Sequence, residues 1–475
     1  MAKPGPRPSE LPPKKAGTAS RKVRATGPGP AEAGVRRAER LLPDAKLLAL
    51  LTRLELTQWW PMERLLGQQL IQAQKLIDHA QRTAPFYRER LAAVAGLKPG
   101  ALTLDRFRQI PPLTREEIQG ARADLFSQDL PPEHGLTFDI TTSGSTGKPV
   151  TVKGTGVSGG YVEVLGWRYH LWHKRDMTAK NMNVRGLKKG KPLVSKGVWG
   201  IRGVVMGPAC TYAATLRFDE LFDGLIKEKP GYLLIQPNTF LELLKLSRQK
   251  GVRPEGIREV RTQSELVTPE LRERCRKEWN VPVVDMYSTA ELGTIALQCP
   301  EHDHYHIQSE AVLLEVIDDD GQPCPPGTLG RVVVTNLHNY ASPLIRYQTG
   351  DYAELGPPCP CGRGLPVLAR ILGRERNFLH LPDGGKMAVI VNEGTICSIA
   401  PSIRRFQLIQ KTLQEIHIRV EAPQSLSEEE ESGLRDYFTG LFRHAFDYRF
   451  IYLDEIALGP MGKFEFFKTE VTAPH

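Results

Sequence analysis

Ten residues from Thr141 to Val150, TTSGSTGKPV, bring hydroxyls, two glycines and a lysine together directly after a β-like run, TFDI. Glycine lets backbone N–H groups turn toward an anion without a side-chain clash, hydroxyls donate further hydrogen bonds, and Lys148 adds charge, so the segment suits a phosphate. It is not a Walker loop, which needs four residues between its glycines and Ser or Thr after the lysine. Here only Ser145 and Thr146 separate Gly144 from Gly147, and Pro149 follows Lys148.

A second chemistry is written in cysteine and histidine. Cys299 lies in LQCPEHDHYHI, and Cys359 with Cys361 lies in PPCPCGRG. Three thiolates and one nitrogen from His302, His304 or His306 make a tetrahedral N/S set, and four protein ligands leave no open position, so a metal held there is structural zinc. The chain has seven cysteines, an odd number without a regular framework, and no secretory signal, so reduced thiols and a cytoplasmic location are expected.

These residues need a scaffold. The 475-residue length allows two or three domains, and the 40% apolar and 25% charged fractions are those of a globular protein. No apolar run approaches the roughly 20 residues of a membrane span. The net charge of +9 is concentrated in the first 40 residues, which hold ten Lys or Arg against three Glu. The body is therefore nearly neutral, which argues against a nucleic-acid-binding protein. Residues 1–44 read as a disordered, basic, Pro/Gly-rich tail that buries too little to offset its ordering entropy. From Ala45 to Leu97 apolar positions recur at helical spacing. Beyond Pro111, β-like runs alternate with helical ones, implying βαβ units and a mainly parallel sheet, with ligands beyond the carboxyl ends of its strands. The stretch VLLEVIDDDGQPCPPGTLGRVVVTNL predicts two strands of a local antiparallel β element. After Gly373 the pattern becomes α+β, and the EEEE run reads as a solvated helix start. The expected architecture is α/β: a large N-terminal domain over residues 45–373 and a small, mobile α+β C-terminal domain over 374–475.

TSGSTGKP is similar, residue for residue, to the phosphate loop of the adenylate-forming superfamily of acyl-CoA synthetases, peptide-synthetase adenylation domains and luciferases. Further motifs follow in that family's order. MYSTAELG resembles its aromatic-x-x-Thr-Glu motif, with Ala290 inserted between Thr289 and Glu291. The resemblance puts the Tyr287 ring against adenine, Thr289 near the α-phosphate, with Ser288 or Ala290 as the alternatives for part of that role, and Glu291 on Mg2+, in keeping with aromatic stacking and hard oxygen ligation. QSELVTPE resembles the adenine-contacting stretch through Glu265, with Gln263 and Ser264 in place of the usual Gly-Gly. RYQTGDY resembles the ribose motif, where Asp351 accepts from both hydroxyls. LGRERN resembles the hinge, with Arg374 at the ribose and the pivot near Glu375 or Arg376. MGKFEFFKTE resembles the C-terminal Gly-Lys motif and nominates Lys463 over Lys468 as the catalytic lysine.

The resemblance runs from about residue 45 to 470 and is strongest to the phenylacetate:CoA ligase branch and its capsule-biosynthesis relatives, supported by HAQRTAPFYRERL and PPLTREEI. Zinc-bearing relatives in this branch point to His306 as the nitrogen ligand. The implied reaction is attack of a carboxylate on the α-phosphorus of Mg·ATP, giving acyl-AMP, followed by transfer to coenzyme A. Thr142, Ser143, Ser145, Thr146 and Lys148, with the loop's Gly144 and Gly147, hold the phosphates. An amine, a carrier protein or a hydroxyl is the alternative acceptor, since LPDGGKMAVI departs from the Arg-Gly-x-Asn-Val pattern of phenylacetate ligases. A scaffold that binds nucleotide without turnover is the other alternative. The acyl pocket is expected between about Tyr161 and Thr262, where Trp167, Tyr169, Trp172 and Trp199 are candidate lining residues, although core packing is the commoner role for such rings. The carboxylic acid, aryl at family level, is not legible.

Overall fold

A computed structural model describes residues 1–2, 44–142, 149–187, 190–457 and 464–471. The basic tail expected over residues 1–44 falls almost wholly outside them. The helical spacing that follows produces helices Asp44–Thr57, Met62–Thr83 and Tyr87–Arg90. Leu47, Leu51 and Leu54 of the first and Leu65, Ala73, Leu76, Ile77 and Ala80 of the second are buried, as i, i+3 and i+4 neighbours on one face must be.

A hairpin of β1 (Thr137–Thr141) and β2 (Thr151–Thr155) flanks the phosphate-loop segment. Thr155 then starts the helix Gly156–Trp172 through a reciprocal capping box with Ser158. The main sheet is built from β3 (Asn181–Arg185), β4 (Val194–Ile201), β5 (Val205–Ala213), β6 (Tyr232–Ile235), β7 (Glu259–Gln263) and β8 (Val283–Thr289). It continues through β9 (Gly293–Gln298), β10 (Tyr305–Ile307), β11 (Val312–Ile317), β12 (Leu329–Asn336), β13 (Tyr347–Leu355) and β14 (Val367–Arg374). Their spatial order is β11-β12-β13-β14-β10-β9-β8-β7-β6-β3-β5-β4.

The α/β class stands, and the sheet is mixed. The parallel pairings β5·β3, β3·β6, β6·β7 and β7·β8 lie where alternating strands and helices predicted βαβ units. The predicted β element, β11 and β12, is antiparallel and continuous with the same sheet. Antiparallel pairing wins there because the connections are too short for a crossover helix. Between the two halves, β14 and β10 pair at two positions, Tyr305↔Leu368 and His306↔Val367.

Helices Phe218–Glu228, Pro237–Lys250 and Pro269–Trp279 cover one face of the parallel half, with Leu221, Phe222, Phe240, Leu244 and Trp279 packed on Leu233, Val260 and Val283. The opposite face takes the helix Gly156–Trp172: Tyr169 and Trp172 pack with Val284 and Leu297. The chain after Gly373 forms a hairpin of β15 (Phe378–His380) and β16 (Lys386–Ala388). A four-stranded sheet follows, β19 (Asp447–Tyr452), β18 (Glu415–Glu421), β17 (Arg405–Gln410) and β20 (Phe467–Thr469) in that order, covered by the helix Glu428–Phe442. Leu408, Ile416, Ile418, Leu434, Phe438 and Phe442 form a core of its own. The EEEE run is the first turn of that helix, capped by Ser427 and Glu430, where acidic charge favours the positive end of the helix dipole. Among the described residues no helix is long and apolar enough to cross a membrane.

Candidate active site

The carboxyl end of β8 carries Tyr287, Ser288 and Thr289, the position where open α/β sheets bind ligands. The Tyr287 hydroxyl donates to Asp351 Oδ2 at 2.6 Å and lies 3.2 Å from Thr349 Oγ1. Asp351 on β13 stands opposite Arg374 on β14 in the sheet register, with Arg374 Nε 3.7 Å from Asp351 Oδ1. Burial raises the Asp351 carboxyl above its usual range and the Arg374 charge opposes that rise. Thr289 Oγ1 accepts from the Leu292 N–H at 3.2 Å, closing a turn in which Ala290, the residue extra to the family pattern, is exposed. Glu291 is buried beyond it and accepts from the Tyr347 hydroxyl at 3.1 Å. Gly293 ends the turn at φ +76°, where a Cβ would lie 2.5 Å from Val162 Cγ2. Only glycine fits both the backbone and the space.

Ser143, Gly144, Ser145, Thr146, Gly147 and Lys148, and the nominated lysine Lys463, lie outside the described residues, but their flanks are described. Thr142 N–H donates to the Val150 carbonyl at 2.9 Å, and Val150 N–H donates to Thr142 Oγ1 at 2.9 Å, so the loop is closed at its base. Arg115 Nη2 also donates to Thr142 Oγ1, at 2.9 Å. On the other side, Asn238 Nδ2 donates to the carbonyl of Phe464, the residue after Lys463, at 2.8 Å, while Asn238 N–H donates to Glu265 Oε2 at 3.1 Å. Ser264, in place of a family glycine, holds φ +73°, a left-handed backbone that glycine adopts without strain. The segment after Lys463 is further tied to the hinge motif by an Arg376–Glu465 ion pair and by Asn377 Nδ2 donating to the Phe467 carbonyl at 2.8 Å.

The described residues thus form three linked groups: Tyr287, Asp351 and Arg374; Glu291, Tyr347, Arg115 and Thr142; Glu265, Asn238 and the flank of Lys463. Arg115, Tyr347 and Asn238 are not candidates on sequence grounds. The first two sit inside PPLTREEI and RYQTGDY, so the motifs contain them without marking their roles. Trp167, Tyr169, Trp172 and Trp199 are all buried in the core, each at most 8% exposed. Tyr169 donates to the Asp285 carbonyl and Trp199 Nε1 to the Ala179 carbonyl, so these rings pack and bond inside the protein. A small recess open to solvent is lined by Ser158, Tyr161, Val162 and Leu165 of the helix Gly156–Trp172 and by Leu292, Thr294, Ala311 and Asn336, so it falls only partly within the expected stretch and includes none of these rings.

The Cys/His segments meet at the β10·β14 junction. Cys299 follows β9, His306 lies in β10, and Cys359 and Cys361 lie in the connection from β13 to β14. Their ligand atoms all fall within 4.8 Å of one another. Cys299 Sγ is 3.9 Å from Cys359 Sγ, and Cys361 Sγ is 3.3 Å from His306 Nε2. A tetrahedral zinc with Zn–S bonds of about 2.3 Å sets its sulfurs about 3.8 Å apart, so the set fits. His306 Nδ1 lies 3.3 Å from the Leu365 carbonyl, which fixes the tautomer that turns the Nε2 lone pair toward the thiols. Burial lowers the imidazole to about 4 and keeps it neutral. Arg363, between the Trp59 and Trp172 rings, donates to Cys361 Sγ and to Gln58 Oε1, anchoring the cluster to the turn between the first two helices.

A family model for the CapK C-terminal domain matches residues 379–470. The phenylacetate-coenzyme A ligase of Thermus thermophilus is 26% identical over 381 residues, covering 76% of this chain and 82% of its own. That of Pseudomonas putida is 25% identical over 324 residues, covering 64% and 69%. Among solved structures, 2-hydroxyisobutyryl-CoA ligase in the postadenylation state in complex with 2-HIB-AMP superposes with a TM-score of 0.65 at 17% identity, over 86% of this chain and 89% of that one. The fold is shared.

Proposed function

We propose that this chain, a homologue of the phenylacetate-coenzyme A ligases with a CapK-type C-terminal domain and an adenylate-forming fold, activates a small carboxylic acid with ATP and passes the acyl group to coenzyme A. It is an AMP-forming acid-thiol ligase. The observation that carries this reading is the contact of Tyr287, Asp351 and Arg374 at the carboxyl end of β8, with Glu291 bonded to Tyr347 of the Asp351 strand, Arg115 bonded to Thr142 at the start of the phosphate-loop segment, and Asn377, bonded to Arg374, bonded also to Phe467 after Lys463.

In this reading the Tyr287 ring lies against adenine and Glu265 faces its edge, while Asp351 accepts from the ribose hydroxyls beside Arg374. Thr142, Ser143, Ser145, Thr146 and Lys148 hold the phosphates, and Ser288 and Thr289 border the α-phosphate. Glu291 holds Mg2+, a hard cation suited to carboxylate oxygen. The substrate carboxylate attacks the α-phosphorus in line, pyrophosphate leaves, and Lys463 stabilises the charge that develops. Residues 374–475 then turn as a body about Arg374–Arg376, withdraw Lys463 and open the anhydride to the thiol. Cys299, His306, Cys359 and Cys361 hold a structural zinc that takes no part in the chemistry. The cytoplasm, where such thiols stay reduced, is the compartment that suits them.

The test is ATP-dependent pyrophosphate release over a panel of aryl and aliphatic acids, with and without coenzyme A, in the wild type and Lys463→Ala. Release that needs one acid and Lys463 and yields a thioester supports the ligase. Release without thioester sinks the coenzyme A step, and no release with any acid sinks adenylation.

A further inference from the structure

Arg115 comes from outside the nucleotide motifs. It is the first residue of a short helix, Arg115–Ala121, whose start is fixed by the Thr114–Glu117 capping box and by an Arg90–Glu117 ion pair at 2.7 Å. Just before it, Leu113 forms a parallel bridge to Tyr347: Leu113 N–H donates to the Arg346 carbonyl at 2.7 Å, and Gln348 N–H donates to the Leu113 carbonyl at 2.9 Å. Arg346 secures the same approach, being buried with its guanidinium on Glu315 and on the carbonyls of Arg108 and Ile110. The backbone thus delivers Arg115 to the ribose-motif strand, where its guanidinium donates to Thr142 Oγ1 and faces the Tyr347 hydroxyl.

Proton bookkeeping gives this contact a direction. Thr142 Oγ1 accepts from Arg115 at 2.9 Å and from Val150 N–H at 2.9 Å, which fills both lone pairs. Its own hydrogen has no acceptor among the described residues, so the hydroxyl is left as a donor only. A donor fixed in this way at the mouth of a phosphate loop, with a guanidinium behind it, favours an anion. On the other arm, the Tyr347 hydroxyl, faced by the Arg115 charge, gives its hydrogen to Glu291 Oε1 at 3.1 Å, orienting the carboxylate. One side chain therefore sets both the loop's entrance and the carboxylate.

We infer that Arg115 is a positioning residue for the triphosphate: it makes Thr142 an obligate donor to phosphate oxygen and, through Tyr347, aims Glu291 at the metal. This rests on the reading of the site as an ATP site. It acts on the phosphate and metal end of the nucleotide, leaving the adenosine contacts at Tyr287 and Asp351 untouched.

The experiment measures equilibrium binding of MgATP and of AMP, with the thermal midpoint, for wild type, Arg115→Met, Arg115→Lys and Tyr347→Phe. Arg115→Met is expected to weaken MgATP by about 10- to 100-fold, the scale of a lost charge-assisted hydrogen bond, with AMP changed by less than about threefold. Arg115→Lys, which restores a charge and a donor, recovers part of the loss. Tyr347→Phe keeps the Thr142 contact and raises the Mg2+ concentration needed for half-maximal ATP binding. MgATP affinity unchanged in Arg115→Met overturns the inference. So does a loss shared equally by AMP and accompanied by a lower midpoint, because that marks a merely structural strap. The binding arms need no substrate acid, so absence of pyrophosphate release would count against adenylation while leaving Arg115 decided. Where release is active, Arg115→Met should raise the KM for ATP or lower kcat without moving the KM for the acid.

Discussion

The phenol of Tyr287 reaches across from β8 to β13 and donates to the Asp351 carboxylate at 2.6 Å, while Arg374 faces the other oxygen of the same carboxylate at 3.7 Å. The tyrosine thus reserves one oxygen of the residue proposed to meet the ribose. Asp351→Ala should weaken ATP by about 10- to 100-fold, since it leaves Arg374 and the phenol without their shared acceptor. Tyr287→Phe keeps the ring and should cost several-fold less. Titrating ATP in the pyrophosphate assay separates the two, and equal losses would refute the ordering.

Lys463→Ala should leave ATP binding within a few-fold of wild type and lower pyrophosphate release by about 100-fold or more, the scale of removing a group that meets charge only in the transition state. Lys468→Ala is the control, expected to change little. Its side chain lies near Glu470 at 3.8 Å. Single-turnover release in the two variants decides between the lysines.

Purified protein should carry one zinc per chain by elemental analysis. Cys359→Ser, or prolonged exposure to a strong chelator, should remove it and lower the thermal midpoint by several degrees. Because four protein ligands leave no open coordination position, the KM for the acid should stay near that of wild type at temperatures where the variant is folded. A lost zinc with an unchanged midpoint would contradict a structural role.

Gly364→Ala should destabilise the protein by about 1–3 kcal/mol and loosen the metal cluster. A Cβ at this residue would lie 1.7 Å from the Trp60 carbonyl oxygen, in a segment whose N–H donates to the Gln58 carbonyl at 2.9 Å. Chemical denaturation, with zinc release followed by a chromogenic chelator, reads both effects, and a wild-type denaturation midpoint would show that the turn can yield.

Burial pushes the Asp285 carboxyl up to about 6, although Thr262 and Tyr305 each donate to it at 2.7 Å. The folded chain therefore holds this proton more tightly than the unfolded chain, whose aspartate titrates near 4. The stabilisation from that proton is complete below about pH 4 and is lost as pH rises through 6, about 3 kcal/mol in all. Asp285→Asn does not titrate, so its thermal midpoint relative to wild type should climb between pH 4 and pH 7. A constant difference over that range would exclude Asp285 as the titrating group.

The candidate residues were legible where their chemistry is local in sequence. Glycines, hydroxyls and Lys148 within ten residues of sequence, or Thr289 and Glu291 within one turn, announce themselves by spacing. His306 could not be separated from His302 and His304 by residue type; the β10·β14 register and the Leu365 carbonyl select it, and both are contacts between distant segments. Arg115 was invisible for the same reason, since its meaning depends on the Leu113 bridge to a strand more than 200 residues on. The tryptophans follow the commoner expectation for such rings: Gln58 and the Ala179 carbonyl take the N–H groups of Trp172 and Trp199 inside the core. The parallel half of the sheet was readable from alternation, whereas its continuity with the antiparallel half rests on β14 inserting beside β10, a pairing that local periodicity does not encode.

That insertion has a mechanical consequence. A sheet is as stiff as its narrowest junction, and here the junction is two paired positions wide, with His306 at one of them. Tyr287 and Asp351, bonded to each other in the proposed nucleotide site, belong to strands on opposite sides of that seam. An ion held by Cys299, His306, Cys359 and Cys361, as proposed, would work as a rivet through it. Such a rivet would limit how far Tyr287 and Asp351 can part, so the rigidity of the proposed nucleotide grip would be set by a fastening that does not itself touch the nucleotide.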